Sequence, residues 1–540
     1  MESKEECDVV VVGAGIAGLL QLRRVQQLGL KGVILEAAND VGGTWFHNSY
    51  PGARCDVIAA AYMLPDPELD EWTWTEKYAT QKEIHRYISF VADKYNSRPH
   101  IRFNQRVKSA QWVDNSKWIV KTNGGLEVVS QYLVLATGCL SAPVPLSISG
   151  VDDAGESASE FKGIFLRTST WNAEQAGDLA GKVVGVIGTG SSAAQAIVEI
   201  AKVAKELIVF QRTANYVIPA HHRTHTEDEI AELKSNRKRQ LEVTMQTAFG
   251  IDVEMSTKAF AEFTEEEREK EIERRWSQLG GFYFSGVFAD LAINPEAEEY
   301  ANNFIRGKIR SIVKDQAVAE LLCPKQGLMC KRILIVDDYY PTFNRDNVKL
   351  VSIADGNGIE AVTESGIKTS EGIEYKLDVI VNACGFDAMT GAATRIEIVG
   401  EDNTTLKDQW RDGAKTYLGI QTVNFPNLYF ITGPQSPSVL SNMMLSIDQS
   451  VSFITDLLAY MAKKGKSQSR VDAAMQEQWV AETSAIAGFT LLGKETCKSW
   501  YFGSNVPGKP RVFTPYLGFS PYRDKCEGIA KDGYTGFQIS

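Results

Sequence analysis

Two glycine-rich stretches carry the first chemistry legible in the chain. Gly13-Ala-Gly15-Ile-Ala-Gly18 follows the apolar run Asp8-Val-Val-Val-Val12, and Gly188-Thr-Gly190-Ser191-Ser192-Ala193 follows Lys182-Val-Val-Gly-Val-Ile187. In such a turn the first two glycines allow a tight bend and close approach of a pyrophosphate. The third position lets helix and strand pack closely, and the helix N-terminus faces the phosphates. A lone G-x-G-x-x-G is weak evidence, but a copy that follows a strand and opens a helix is informative. The bland alternative is two ordinary strand-to-helix turns.

The residues beyond each turn differ in charge. Gly32-Val-Ile-Leu35 ends on Glu36, 21 residues past Gly15, where the ribose of an adenosine needs an acceptor. Glu206-Leu-Ile-Val-Phe210 instead runs into Gln211-Arg212-Thr213, and an arginine with a hydroxyl suits a 2′-phosphate that a carboxylate would repel. The first site therefore reads as FAD-binding through Gly13, Gly15, Gly18 and Glu36. The second reads as NADPH-binding through Gly188, Gly190, Ser191, Ser192, Gln195, Arg212 and Thr213. Together they describe a flavoprotein that takes hydride from NADPH. A disulfide reductase would need a reactive cysteine pair close to the flavin, and no suitably spaced pair follows the first glycine unit, so oxygen is the better electron acceptor.

These groups must be held by βαβ units. Two further buried-strand runs end in glycine turns, Tyr132-Leu-Val-Leu-Ala-Thr137-Gly138 and its near copy Leu377-Asp-Val-Ile-Val-Asn-Ala-Cys384-Gly385. The expected fold is α/β with two Rossmann-like dinucleotide-binding domains. Residues 1–143 and 385–540 form the FAD domain, and residues 144–384 form the NADPH domain. A charged helical insertion at about 225–330 should cover part of the second unit, with a capping box at Thr264-Glu-Glu-Glu267.

The 540 residues hold 44% hydrophobic and 23% charged side chains, an ordinary globular composition with ample core. The net charge of −11 lacks the electrostatic footprint of a nucleic-acid binder. Eight scattered cysteines show no metal-binding spacing against the six histidines and read as reduced thiols of an intracellular, cytoplasmic protein. The run Val9 to Leu20 is broken by three glycines and preceded by acidic residues, so it fits neither a signal peptide nor a membrane span. No metal and no obligate protein partner is expected.

Longer motifs carry a resemblance. They are Gly42-Gly-Thr44-Trp45-Phe-His-Asn48-Ser-Tyr50-Pro51-Gly52-Ala-Arg54-Cys-Asp56, Lys331-Arg332, Tyr339-Tyr340 to Val348, Gln211-Arg212-Thr213, Gly433 to Ser438, Ser441-Asn442-Met443, and the tail Trp500 to Pro510. Nearly end to end, the sequence closely resembles the Baeyer-Villiger monooxygenases. The resemblance implies an FAD enzyme that is reduced by NADPH, traps O2 as a flavin C4a-peroxide and inserts one oxygen beside a ketone carbonyl to give an ester or lactone. By position Arg332 matches the arginine that lies over the flavin, where a permanent cation stabilises developing negative charge, and Asp56 matches its carboxylate partner. The bland alternative for these two is a structural ion pair between domains. The same carry-over places Thr44, Trp45, Asp56, Tyr62, Val107 and Met443 near FAD, and Arg54, Lys331, Arg332 and Trp500 near NADP. It sets Ser438, Leu440, Met443, Met444 and Leu445 along a pocket suited to an apolar, polycyclic ketone, although the methionines read equally well as core filler.

The chain departs from the family at several points. The signature F-x-G-x-x-x-H-x-x-x-W appears as Phe161-Lys-Gly163-Ile-Phe-Leu-Arg167-Thr-Ser-Thr-Trp171, with arginine for histidine. Arginine stays protonated and offers no acceptor, so only a donor role survives there. Ala59, Gln435 and Cys384 are further departures, and Gln435 is expected to reshape the pocket. Two alternatives stay open: a related flavin oxygenase acting on heteroatoms or hydroxylating carbon, and an uncoupled NADPH oxidase or redox-sensing protein.

Overall fold

The computed structural model describes residues 3–113, 116–510 and 518–540. Two sheets, the first mixed and the second wholly parallel, organise it, and each is built around one of the glycine turns. In the first, the strand Ser3–Val12 lies between Gly32–Leu35 and Leu126–Leu135, parallel to both. Leu428–Phe430 adds in parallel to the far end of Leu126–Leu135, whose near end instead pairs antiparallel with Lys117–Thr122. The outer strands are Ile101–Arg102 on one side and Val107–Val113 and Glu397–Val399 on the other. The second sheet is wholly parallel, in the order Val348–Ser352, Glu206–Gln211, Val183–Ile187, Val379–Asn382, Ile164–Arg167. Strands buried on both faces need no polar alternation, which is why Gly32–Leu35 and the Val379-Ile-Val381 core of its counterpart in the second sheet appear as unbroken apolar runs.

The first sheet draws strands from residues 3–135 and 397–430, and the second from residues 164–382. The helix Ile16–Gln27 packs Leu19, Leu20, Leu22 and Val25 into the first core, each of them at most 1% exposed. Ser191–Val203 does the same in the second unit with Ala194, Ile197 and Ile200. No described helix is long and apolar enough to cross a membrane.

The insertion contains the helices Glu227–Thr244, Glu265–Arg274, Pro295–Ile312 and Gln316–Leu322. The Thr264 capping box is present: the Glu267 N–H donates to the Thr264 hydroxyl at 3.3 Å, and the Thr264 N–H donates to the Glu267 carboxylate at 2.9 Å. The insertion reaches further than expected. Trp276, Phe284, Phe288 and Ile305 join the core of the second unit, while Arg237 pairs with Asp70 at 2.6 Å and Asn442 donates to the Gly250 carbonyl at 2.9 Å. It therefore bridges both units. The thiol reading is corrected at one pair, because Cys330 and Cys497 form a disulfide with Cα atoms 5.1 Å apart, while the other six cysteines are free. A sequence separation of 167 residues hid it.

Candidate active site

The two glycine turns have nearly the same backbone. Gly13 and Gly188 both sit at φ +106, and Gly15 and Gly190 cap their helices at φ −73 and −76 with no side-chain cap. Positive φ with a crowded Cβ position makes glycine necessary at the first residue. A Cβ on Gly13 would stand 2.6 Å from the Ala136 carbonyl oxygen, and one on Gly188 would stand 2.9 Å from that of Ala383. Each turn thus presses on the strand end of its own unit, the Ala-Thr-Gly at 136–138 or the Ala-Cys-Gly at 383–385. At the third position a Cβ on Gly18 would run into the Gly13 carbonyl oxygen, whereas the second unit accommodates Ala193, fully buried.

At the first helix start two glycines face each other. Gly43, at φ +53, faces Gly15, and a Cβ on either would meet only the other's backbone, at 3.1 and 3.7 Å from its Cα. Such a cradle fits a pyrophosphate approached by main chain alone. Glu36 is 6% exposed and accepts from the Ala14 N–H at 2.5 Å and the Ala38 N–H at 2.7 Å. A carboxylate has about four lone-pair sites, so it keeps acceptor capacity for a ribose hydroxyl.

At the second turn a Cβ on Gly190 would meet nothing within 4 Å, so space is open before the helix. Arg212 adjoins Thr213, whose carbonyl accepts from Thr189 of this turn, and Lys331 lies close enough to feel the Arg212 charge. Burial first, and the Arg212 charge second, hold the Lys331 amine below the ordinary lysine range. Two cations brought together in this way repel each other, and a bound phosphate would relieve that repulsion.

Arg332 stands in the segment between the turn Leu328–Cys330 and the strand Leu334–Ile335, which pairs with Val217–Ile218 of the second unit. Its Nε and Nη2 donate to the two carboxylate oxygens of Asp56 at 2.6 and 2.9 Å, a bidentate pair with both side chains 20% exposed. Nη1 donates to the Val439 carbonyl at 2.7 Å, and the guanidinium lies 4.7 Å from the centre of the Phe282 ring. Burial opposes its charge, but Asp56 and the hydrogen-bonded Tyr501 hydroxyl outweigh that and raise its pKa above the ordinary value. The Val439 carbonyl is delivered by a strained loop, with Thr432, Gln435 and Ser438 at φ 52, 65 and 42. Non-glycine residues in that region cost about 1–3 kcal/mol each and collect where a site needs them.

The remaining candidates fall into three groups. Trp45 donates its indole N–H to the Tyr62 hydroxyl at 3.1 Å, and both, with Met443, pack on the first core. Thr44 opens the short helix Thr44–His47, and Val107 is buried in the sheet. Gln195 and Arg54 join the two units: Gln195 accepts from the Tyr50 hydroxyl at 2.9 Å and donates to the Arg54 carbonyl at 3.0 Å. The Arg54 guanidinium donates to Tyr78 O, Glu76 and His222 Nε2, the last at 2.7 Å. A guanidinium only donates, so His222 accepts and is neutral; burial, then the Arg54 charge, depress its pKa to about 4. Thr189 donates to the Thr213 carbonyl, which fixes the turn that carries Arg212. Ser191 and Ser192 begin the second helix, and Ser438, Leu440, Met443 and Trp500 cluster with Met389, Leu492 and Tyr501 on the Arg332 side. Met444 is fully buried in the first core, and Leu445 is 3% exposed.

Arg167 ends the strand Ile164–Arg167 and donates to the carbonyls of Ala154 at 3.2 Å and Val144 at 3.4 Å, a donor that ties the linker to the second sheet. Gln435 does not line a pocket. It is fully buried, accepts from the Thr416 N–H and hydroxyl, and donates to the Ala414 carbonyl at 2.7 Å. Cys384 is a neutral thiol, its pKa pushed up to about 11 by burial and drawn back by Arg212 and Arg167. Tyr501, Phe282, Val439 and His222 were not anticipated. Tyr501 adjoins Trp500 in a recognised tail motif, while Phe282 sits in the insertion with no local signal.

Comparison with known proteins agrees with this geometry. Residues 10–282 match the family described as pyridine nucleotide-disulphide oxidoreductase. A phenazine N-monooxygenase of Lysobacter antibioticus is 37% identical over 99% of this chain and 97% of its own. A Baeyer-Villiger monooxygenase of Pseudooceanicola batsensis is 37% identical over 98% and 95%. An oxidised steroid monooxygenase bound to NADP superposes with TM-score 0.92 at 43% identity, covering 99% of both chains. A complex of OTEMO with FAD and NADP superposes with TM-score 0.93 at 36% identity, again over 99% of both. Full-length relatives of this kind, on a fold with two dinucleotide turns and a paired arginine between them, place the chain in the family of flavin-dependent Baeyer-Villiger monooxygenases.

Proposed function

We propose that this protein is an FAD- and NADPH-dependent monooxygenase that inserts one oxygen atom of O2 beside a ketone carbonyl, giving an ester or lactone. The observation that carries the role of the site is the bidentate Arg332–Asp56 pair, set where both units and the insertion converge. FAD reduced by NADPH supplies the activation of O2. Gly13, Gly15, Gly18 and Glu36 hold FAD, with Thr44, Trp45, Asp56, Tyr62, Val107 and Met443 around it. Gly188, Gly190, Ser191, Ser192, Gln195, Arg212, Thr213, Lys331, Arg54 and Trp500 serve NADPH.

Arg332 acts through what Asp56 leaves free. Three of its five N–H groups are committed to Asp56 and Val439. A fourth meets the Tyr501 hydroxyl, which leaves the fifth as the fixed donor for negative charge that develops on the ketone oxygen. Asp56 sets the direction of these N–H groups, and Val439 prevents the plane from rotating. The apolar cluster of Met389, Val439, Leu440, Met443, Leu492 and Phe502 excludes water beside them and suits an apolar, polycyclic ketone. Similarity to a steroid monooxygenase supports that class. We read the location as cytoplasmic, consistent with six free thiols.

A second reading is heteroatom oxygenation, because a phenazine N-monooxygenase is as similar to this chain as a Baeyer-Villiger monooxygenase. Turnover of cyclohexanone, a steroid ketone, an aryl sulfide and phenazine under ¹⁸O2 separates the two. Labelled ester or lactone with one NADPH consumed per product supports ketone insertion. Labelled sulfoxide or N-oxide with unreacted ketones favours the second reading, and hydrogen peroxide equal to NADPH with every substrate refutes both.

A further inference from the structure

The disulfide between Cys330 and Cys497 joins two segments that the proposed reaction needs together. Cys330 immediately precedes Lys331-Arg332, and Cys497 lies three and four residues before Trp500 and Tyr501. One covalent bond therefore connects the backbone that carries the guanidinium to the backbone that carries its tyrosine neighbour. Beyond Tyr501, Asn505 donates to the Phe386 carbonyl at 2.8 Å, and Lys509 pairs with Asp387 and donates to the Ala388 carbonyl at 3.1 Å. Trp500 and Tyr501 are thus held from both sides, by the disulfide before them and by polar bonds to 386–388 after them.

We propose that Cys330–Cys497 is a reversible redox tether that keeps Trp500 and Tyr501 against Arg332, so that its reduction weakens NADP binding and lets NADPH oxidation run without oxygen transfer. The proposal rests on the reading of Arg332 and Trp500 given above. Closing the bond removes two electrons and two protons from the thiols. Hydrogen peroxide, which uncoupled NADPH oxidation releases, accepts them: one thiolate attacks a peroxide oxygen and expels hydroxide, which leaves as water, and the second displaces water from the resulting sulfenic acid. Opening the bond uses a dithiol, whose first sulfur expels one cysteine thiolate and whose second expels the other while closing its own disulfide. Peroxide from wasteful turnover would thereby restore the coupled form. Disulfides in a reducing cytosol are mostly catalytic or redox-sensing, in keeping with this use. Cys330 and Cys497 are 8% and 1% exposed, so the reductant reaches them only when the segment lifts, and bound NADP⁺ should protect them.

The test uses the FAD-loaded holoenzyme. Thiols are counted in denaturant without reductant, and NADP⁺ affinity and the peroxide share of NADPH oxidation are measured before and after dithiothreitol treatment and after reoxidation by hydrogen peroxide. The expected result is six titrating thiols of the eight. On reduction, NADP⁺ affinity should fall roughly tenfold, the scale of lost loop pre-organisation, and the peroxide share should rise. Reoxidation should reverse both changes, and NADP⁺ should slow reduction. The Cys330→Ser/Cys497→Ser double variant should match the reduced enzyme and ignore dithiothreitol. Eight titrating thiols, or an NADP⁺ affinity unmoved by reduction of the wild type, overturns the tether. Because thiol count and NADP⁺ affinity need no turnover, a protein that makes no product from any substrate refutes the proposed function without touching this result.

Discussion

Replacing Asp56 by Asn tests the centre of the proposed site while changing almost no volume. The carboxylate receives two charge-assisted bonds from Arg332, at 2.6 and 2.9 Å. An amide can accept only one of them and points its own N–H at the other donor. Hydrogen bonds to charged groups contribute about 1.5–3 kcal/mol each. Both side chains are 20% exposed, so solvent partly screens the loss, and about 2–3 kcal/mol is expected. If the guanidinium acts on the transition state through the direction Asp56 imposes, kcat/KM for product should fall roughly 30- to 150-fold. The peroxide share should rise, while FAD content and far-UV circular dichroism remain normal. Arg332→Ala alone and in combination completes a double-mutant cycle read by steady-state product formation. With the guanidinium gone Asp56 has nothing to orient, so the double variant should be no slower than Arg332→Ala within about twofold. Additive losses in the cycle, or an Asp56→Asn enzyme with wild-type kcat/KM, would refute the argument that Asp56 works through Arg332.

Three further perturbations address the cofactor sites and their junction. Gly18→Ala sets a methyl against the Gly13 carbonyl oxygen, a backbone atom that cannot move without opening the first turn, so the purified protein should carry markedly less FAD by absorbance at 450 nm; full occupancy would count against the close packing described. Arg212→Ala should raise KM for NADPH roughly ten- to a hundredfold while barely changing KM for NADH, because only the former carries the phosphate that the paired cations serve; an equal effect on both would remove Arg212 from that role. His222 titrates near pH 4 in the fold and near pH 6.5 when unfolded, so the unfolded chain binds more protons between those values. Stability from this group is therefore fully present above pH 6.5 and lost as pH falls towards 4, and His222→Gln should flatten that part of a melting-temperature profile; parallel profiles would show that the ring does not titrate as proposed.

Much of the frame was legible because its signals are local. A strand buried on both faces must be a continuous apolar run, so Val9–Val12, Gly32–Leu35, Tyr132–Leu135, Val183–Ile187, Glu206–Phe210 and Val379–Val381 stood out before any contact was known. A turn at φ +106 against a neighbouring carbonyl tolerates only glycine, which made Gly13 and Gly188 visible. The Thr264 capping box closes within four residues and was equally plain.

The rest depended on distance along the chain. The short strand Ile164–Arg167 has no pattern of its own and exists because Val379–Asn382 is there to pair with it. Gln435 drew attention as a departure beside a pocket, but its amide is consumed by Ala414 and Thr416, a choice set by burial rather than by residue type. Gln195, expected at a cofactor, also bonds the two units to each other through Tyr50 and Arg54.

By itself, then, the amino-acid sequence determined the two glycine-turn units, the opposite charges that follow them, and the arginine and carboxylate proposed for the site, since each is written in residues close together or in motifs of fixed spacing. Only the tertiary structure decided what surrounds that arginine. Phe282, Val439, Tyr501 and the Cys497 that bonds to neighbouring Cys330 come from segments about 50 to 170 residues away from it, and nothing in local sequence encodes which of them the folded chain brings together. Tertiary packing also arranged the insertion across both units, because its buried aromatic residues had to find a core that no stretch of the insertion provides alone.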